Sequence, residues 1–304
     1  MHFKKIEQKK SSLENIYLRV NNEKNILLIN IMKLNKKLQF YVENALTNKV
    51  LINELQKQYI VKSNFINKNQ FKSSKFTSLI SKLFKKPKQL WIYLTEEQKH
   101  STDSYTRYEK MILTKIKKVN ADFITIGQRA YEFCNQNKLN LLKNYDNSVI
   151  EKELANELTY LVKYLYADEM YDSVHFVINT NKAFKEDFTI LPIDNFDVNK
   201  LTDSKSQISN LNIKNYEIYP NIEKFIDSQI DIFLSNAIHS LIIESYFYNA
   251  KNNLISTNQI IKQLDEEILK LNKQIIKHKR EKEIEEIVMF FRKNKDYGDE
   301  PNGK

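Results

Sequence analysis

Five histidines, one cysteine and one pair of adjacent carboxylates have the greatest chemical reach in this 304-residue sequence. His2, His100, His175, His239 and His278 are scattered, with no HExxH or other metal-ligand spacing among them. His175 alternates with apolar residues in Ser173–Ile178, so it reads as a sheet-face histidine rather than a ligand. Cys134 follows Phe133 in a predicted helix and reads as a buried structural thiol rather than a nucleophile. Glu96 and Glu97 are neighbours at the end of a predicted strand. Adjacent side chains there diverge, which disfavours paired acid–base work. The chain has only three glycines, Gly127, Gly298 and Gly303, so a phosphate-binding loop cannot be built. Gly127 alone is a turn after a strand, whereas a dinucleotide site needs several glycines. No catalytic, cofactor-binding or metal residues are assigned, and the chain reads as a non-enzyme.

Most of the elements around these residues are helical. Neither Gly nor Pro occurs from Phe3 to Lys57 or from Asn221 to Tyr297. Those residues punctuate helices, so two long rods are predicted, about 80 and 110 Å in length. Leu13, Val20, Leu27, Leu34 and Tyr41 repeat every seven residues in the first, beside a second row at Ile31, Leu38, Ala45 and Ile52. Ile261, Leu264, Ile268, Leu271 and Ile275 step by three and four in the second. These are coiled-coil seams. Two rods flanking an insert pair antiparallel, and the lengths of the seams suggest Leu27, Leu34 and Leu38 near Ile261–Ile275. Phe225 to Ile242 shows a broader apolar face, as if covered by more than one neighbour. Ile284, Ile287, Val288, Met289, Phe290 and Phe291 make the far end apolar, either enclosed by a partner or folded back on the first rod.

Between the rods the apolar period changes. Leu90–Leu94, Phe123–Ile126, Leu139–Leu142, Ser173–Ile178 and Phe188–Leu191 are predicted strands, the last an edge strand stopped by Pro192. Helices are predicted over Tyr105–Val119, Gln128–Asn137 and Val149–Tyr166. Such alternation gives a small sheet with helices on its faces. The expected divisions are residues 1–58, an N-terminal long helix; 59–89, a linker; 90–193, an α/β head; 194–220, a connector; 221–293, a C-terminal long helix; and 294–304, a tail.

The net charge is +10, with 41% apolar and 12% aromatic residues. The apolar content argues against disorder. Lys, Asn and Ile are used throughout, as in an AT-rich coding sequence, and basic runs such as Lys85–Lys88 and Lys277–Arg280 are short. No RNA- or DNA-binding signature accompanies them, so solvated helix faces explain the charge better than nucleic acid does. No segment approaches the ~18 consecutive apolar residues of a membrane span. The start lacks a secretory core, and a single cysteine fits a reducing interior. The expected location is cytoplasmic, with attachment to the inner face of the membrane only through partners.

The order of long helix, α/β domain and longer helix resembles the γ subunit of the rotary F-type ATP synthase. Phe233-Leu234, Leu241 and Glu244-Ser245 are similar to the stretch that opens that family's C-terminal helix. Asn272-Lys273 and Glu283-Ile284-Glu285-Glu286-Ile287-Val288 resemble its N-K and its terminal E-L/I-x-E-I-V. Ile124–Arg129 resembles its strand-then-IGRKG segment, Asp172–Ile178 its D-x-V-x-L-x-Y strand, and Ile190–Ile193 its L-L-P-L/I. The matches are collinear over nearly the whole chain. Departures are present too. Thr95–His100 replaces a glycine-rich S-D-R-G-L-C-G-G segment, and the family's N-terminal N-T-x-K-I-T-x-A-M is not kept in Asn22–Met32. An Arg-Gln pair after N-K falls on Ile275-Ile276 or Ile276-Lys277. The resemblance is therefore to a divergent, mycoplasma-type F-type-like paralogue, a group in which some members serve gliding motility.

The resemblance implies a predominantly helical α/β protein: an antiparallel coiled coil of two long terminal helices with an inserted small Rossmann-like domain. It implies a central rotor shaft that binds no cofactor. The partners would be α-like and β-like subunits in a hexamer, present three-to-three-to-one with the shaft, and ε-like or other stalk proteins at the head. Torque would serve ATP synthesis with proton transport, or motility. Ile284, Ile287, Val288, Phe290 and Phe291 would sit in a sleeve of the hexamer. Lys273, Lys277, His278, Lys279 and Arg280 would face the levers of the catalytic subunits. The rival reading is a coiled-coil scaffold or adaptor with an inserted α/β head, associated with nucleic acid through its charge.

Overall fold

A computed structural model describes residues 2–59, 63, 65–66, 87–97, 104–147, 151–168, 171–180, 186–197, 201 and 217–296. Most of the expected linker, most of the connector and residues 297–304 of the tail lie outside these. Among the described residues eleven elements follow in order: α1 (His2–Gln58), β1 (Lys88–Leu94), α2 (Tyr105–Ile116), β2 (Asn120–Ile126), α3 (Gln128–Gln136), β3 (Asn140–Tyr145), α4 (Glu151–Asp168), β4 (Ser173–Val177), β5 (Phe188–Leu191), a 3-10 turn (Ile193–Asn195) and α5 (Ile222–Asp296). The protein is thus predominantly helical, with a small α/β domain inserted between two long terminal helices.

Two compact units are present, residues 1–29 with 253–304, and residues 30–252. The amino-terminal part of α1 shares a unit with the carboxyl-terminal part of α5, and the remaining parts of both helices share the other. Within the smaller unit Phe3 meets His278, and the following turns of α1 pack with the preceding turns of α5, so these two segments run antiparallel. Along α1 the covered positions are Phe3, Ile6, Lys10, Leu13, Tyr17, Val20, Lys24, Leu27, Ile31, Leu34, Leu38, Tyr41 and Ala45, alternating steps of three and four. Along α5 the same alternation joins Thr257, Ile261, Leu264, Ile268, Leu271, Ile275 and His278. The charged positions within the seam of α1 are Lys10 and Lys24. Their aliphatic stems can cover the seam while the ammonium groups reach water.

The pairing differs in offset from the sequence expectation. In the smaller unit Phe3, Ile6 and Leu13 pack with Leu271 and Ile275. Leu34 and Leu38 belong to the core of the larger unit, with Phe233, Leu234, Ala237, Ile238 and Leu241. The physical reason is breadth. The wide apolar face at the start of α5 takes the most apolar stretch of α1, which leaves the thin seam at Ile261–Ile275 for the amino-terminal turns.

In the larger unit the strand order is β3-β2-β1-β4-β5. The first four strands are parallel, and β5 is an antiparallel edge beside β4. Side chains alternate across the sheet. Leu90, Ile92, Leu94, Ile124, Val174 and Phe176 enter the core that also holds residues of α1, α4 and α5. Trp91, Tyr93, Phe123 and Val177 enter a second core with Tyr105, Tyr108 and Ile112 of α2 and Ala130, Phe133 and Cys134 of α3. Each buried Val, Leu, Ile or Phe among them contributes about 1.5–3 kcal/mol by leaving water. Lys49 of α1 donates to the carbonyls of Asp194 (3.0 Å) and Phe196 (2.6 Å), tying α1 to the turn after β5. At the start of α5, Asn221 follows Pro220 and caps the helix: its Oδ1 accepts the N–H of Lys224 at 2.9 Å.

Candidate functional site

Two places in the α/β domain gather polar side chains. One is the β4–β5 edge. Ser173 and His175 lie two apart on β4, so they share a face of the sheet. Ser173 Oγ is 2.6 Å from His175 Nε2, and His175 Nδ1 is 2.5 Å from Asp187 Oδ2. This is the contact order of a nucleophile, a base and an orienting acid. Asp187, however, also receives Lys115 Nζ on Oδ1 at 2.5 Å. Burial opposes ionisation of Asp187, but the hydrogen bonds and charges of His175 and Lys115 prevail and hold it well below the usual carboxylate range. A carboxylate already neutralised by Lys115 has little left to stabilise a developing imidazolium. Trp91 stacks on the imidazole with ring centroids 4.6 Å apart, covering one face of it. The cluster is a polar clamp joining α2, β4 and the entry to β5. Sequence reading placed His175 on a sheet face but missed both partners. The Ser-x-His alternation was legible, whereas Asp187 is brought in only by the β4–β5 pairing.

The other place is the carboxyl edge of the sheet, where open α/β sheets take ligands. Gly127 ends β2 with φ +93°, and a Cβ there would lie 2.2 Å from the Thr95 carbonyl oxygen. Only glycine fits this close crossing. Thr95 Oγ1 donates to the Ile126 carbonyl (3.2 Å) and accepts the Ala130 N–H (3.1 Å). The first turn of α3 is therefore capped by the protein's own hydroxyl, at the position where a helix amino terminus could receive an anion. Arg129, of the IGRKG-like segment, pairs with Glu109 at 2.8 Å. Burial pushes the Cys134 thiol up to about 12, which leaves it unreactive near neutrality. Among the described residues no group of three or more His, Cys, Asp or Glu is arranged to hold a metal ion.

Surfaces offer more than crevices do. Leu34, Leu38, Leu271 and Ile275 are buried, while Leu13, Val20, Leu27, Ile261, Leu264 and Ile268 are half-buried. From Glu281 to Arg292 every residue of α5 is exposed. Ile284, Ile287 and Val288 are 60%, 55% and 43% exposed, and Met289, Phe290 and Phe291 are 63–69% exposed. At 100° per residue, the five consecutive residues Ile287–Phe291 pass once around the helix axis. They form a collar rather than a stripe, and they do not fold back on α1. Just before the collar, Lys273, Lys277, Lys279 and Arg280 are exposed. His278 is half-buried, with its ring edge to Phe3 and Nδ1 3.2 Å from Glu281.

No protein-family model matches the chain. The uncharacterized protein UU050 of Ureaplasma parvum serovar 3 is 44% identical over 303 residues, covering 99% of this chain and 98% of that protein. This chain belongs to the UU050 family. Solved structures similar to it include a chain of the Euglena gracilis mitochondrial ATP synthase OSCP/F1/c-ring assembly in rotational state 3 (10% identity, TM-score 0.46, 100% of this chain and 97% of that one). A chain of the Euglena gracilis mitochondrial ATP synthase rotor in rotational state 1 follows (9% identity, TM-score 0.43, 92% and 98%). A chain of the Tetrahymena thermophila mitochondrial ATP synthase central stalk and c-ring is similar at 12% identity and TM-score 0.43, covering 77% and 98%. Among the described residues of this UU050-family protein, no helix is long and apolar enough to cross a membrane.

Proposed function

We propose that this UU050-family protein is the central shaft of an F-type-like rotary ATPase, a non-catalytic subunit turned by an α-like and β-like hexamer. The observation that carries this reading is the collar at Ile287–Phe291. A helix that is apolar all the way round needs a neighbour on every side. A flat partner or a second helix covers one face; a ring covers all of them. Collinear γ-like motifs, and the order of long helix, α/β domain and long helix, support the same reading. Lys273, Lys277, His278, Lys279 and Arg280 stand just before the collar and would meet acidic segments of the ring. An asymmetric shaft makes the ring's sites unequal only through contacts that differ between states. The α/β domain would hand torque to an ε-like or other stalk protein, for ion transport or for motility. ATP chemistry would belong to the partners.

Native purification of the tagged full chain tests the reading. Two larger P-loop ATPase subunits are expected to copurify, three of each per shaft. A chain that purifies alone, self-associates through the seam or retains nucleic acid would instead support the scaffold reading.

A further inference from the structure

We propose that the crevice at the carboxyl ends of β1 and β4 is a latch for the protein's own helix α5, built on Glu96 and Thr180 and loosened by rising pH. The strand order reverses between β1 and β4, the point at which an open sheet ordinarily receives a ligand. Here one turn of α5 takes that place. Ser245 Oγ donates to Glu96 Oε1, and Asn249 Nδ2 donates to Glu96 Oε2 at 2.7 Å. Thr180 Oγ1, just beyond β4, donates to Glu244 Oε1 at 2.6 Å. Ser245 and Asn249 are four residues apart, hence on one face of the helix. Both carboxyl oxygens of Glu96 are thus occupied by α5. The Glu96 N–H donates to Tyr105 Oη at 2.9 Å, so β1, α2 and α5 meet at this residue.

These polar groups interrupt an apolar face. Phe233, Leu234, Ala237, Ile238, Leu241 and Ile242 are fully buried, and Ser245, Glu244 and Thr180 are buried with them. An apolar face alone tolerates sliding by a turn. A set of reciprocal hydrogen bonds does not, because a shift of one turn leaves every donor and acceptor unpaired. The latch therefore fixes the register of α5 on the sheet. If the chain is a rotor shaft, torque passes to the α/β domain here, but the latch does not depend on that reading.

Its pH dependence comes from Glu96. Burial pushes this carboxyl up from its ordinary 4.5 to about 6, against the pull of Ser245 and Asn249. The titratable groups that interact with it are Tyr105 of α2 and Tyr246 of α5. The latched state holds the proton more tightly than the open state does. Its grip is fully present below 4.5 and is lost as pH rises through about 6.

Hydrogen exchange of the full chain tests this at about pH 5 and about pH 7.5, corrected for intrinsic rates. Amides of residues 241–252 are expected to open roughly tenfold more readily at the higher pH. Glu96→Gln, isosteric with the protonated acid, is expected to keep their protection and abolish the pH difference. Ser245→Ala with Asn249→Ala is expected to raise opening about tenfold at about pH 5 and to change it less at about pH 7.5, where the latch is already loosened. Equal wild-type protection at both pH values, or a pH difference that persists in Glu96→Gln, overturns the proposal. The Glu96→Gln comparison stands even if the double variant does not fold.

Discussion

Asp187 is the residue at which a catalytic reading and a structural reading part. A working triad would make Ser173 the irreplaceable member; a clamp makes Asp187 so. Asp187→Asn removes the charge that orders both His175 and Lys115, and is expected to cost about 2 kcal/mol in denaturant unfolding. Ser173→Ala is expected to cost under about 1 kcal/mol, because it gives up a single hydrogen bond and leaves the Asp187 contacts in place. Asp187 titrates below its ordinary value in the folded chain, so its contribution is present above about pH 4 and is lost as the solution is acidified further. That acid-side loss should vanish in Asp187→Asn. A fluorophosphonate probe is expected to leave Ser173 unmodified; labelling that disappears in Ser173→Ala would restore the catalytic reading. Little of this was legible beforehand. The sequence put His175 on a sheet face, but sequence distance hid its acid.

At the scale of elements, nearly every strand and helix was announced by its period. A short β-prone apolar run marked β1 at Leu90–Leu94, alternation at Ser173–Ile178 marked β4, and Gly127 marked the end of β2. The seams of α1 and α5 were marked by steps of three and four. Their mutual offset was not, because a seven-residue repeat looks alike after a slide of seven. Burial chose the register by giving the broadest face of α5 to the most apolar stretch of α1. Cysteines check this pairing in the smaller unit. Phe3 and His278 have ring centroids 6.2 Å apart. Phe3→Cys with His278→Cys is expected to form a crosslink within one molecule, whereas Leu18→Cys, 58% exposed, with His278→Cys is not. Cys134 is buried and should not interfere. Crosslinks that form only between molecules would reject the hairpin.

For the whole molecule, the collar decides whether the shaft reading holds. Its residues touch little in the free chain, so Ile287→Asp with Phe291→Asp should change stability by no more than about 0.5 kcal/mol. In a sleeve each of these side chains is worth roughly 1.5–3 kcal/mol, and the new charges would have to enter an apolar ring. Assembly with the hexamer is therefore expected to weaken by more than about a hundredfold, read by copurification at graded concentration. Truncation after Arg280 should be milder, because it removes contacts without burying charge. Normal assembly and ATP hydrolysis by a complex carrying the double variant would place the collar outside any sleeve.

What the sequence determined by itself is what local chemistry dictates. Missing glycines and prolines made two long helices, short runs of β-prone apolar residues made the strands, and scarce glycine left nothing to build a phosphate loop from. Each depends on residues close together in the chain. Tertiary structure decided the rest, because it required residues far apart to meet. Glu96 read only as one of two diverging carboxylates at a strand end, and α5 brings Ser245 and Asn249 to it across about 150 positions of chain. Ile287–Phe291 looked equally suited to folding back or to enclosure, until the geometry of α5 left the whole circumference open. Desolvation gives both features their meaning, and it is a property of neighbours in space rather than in sequence.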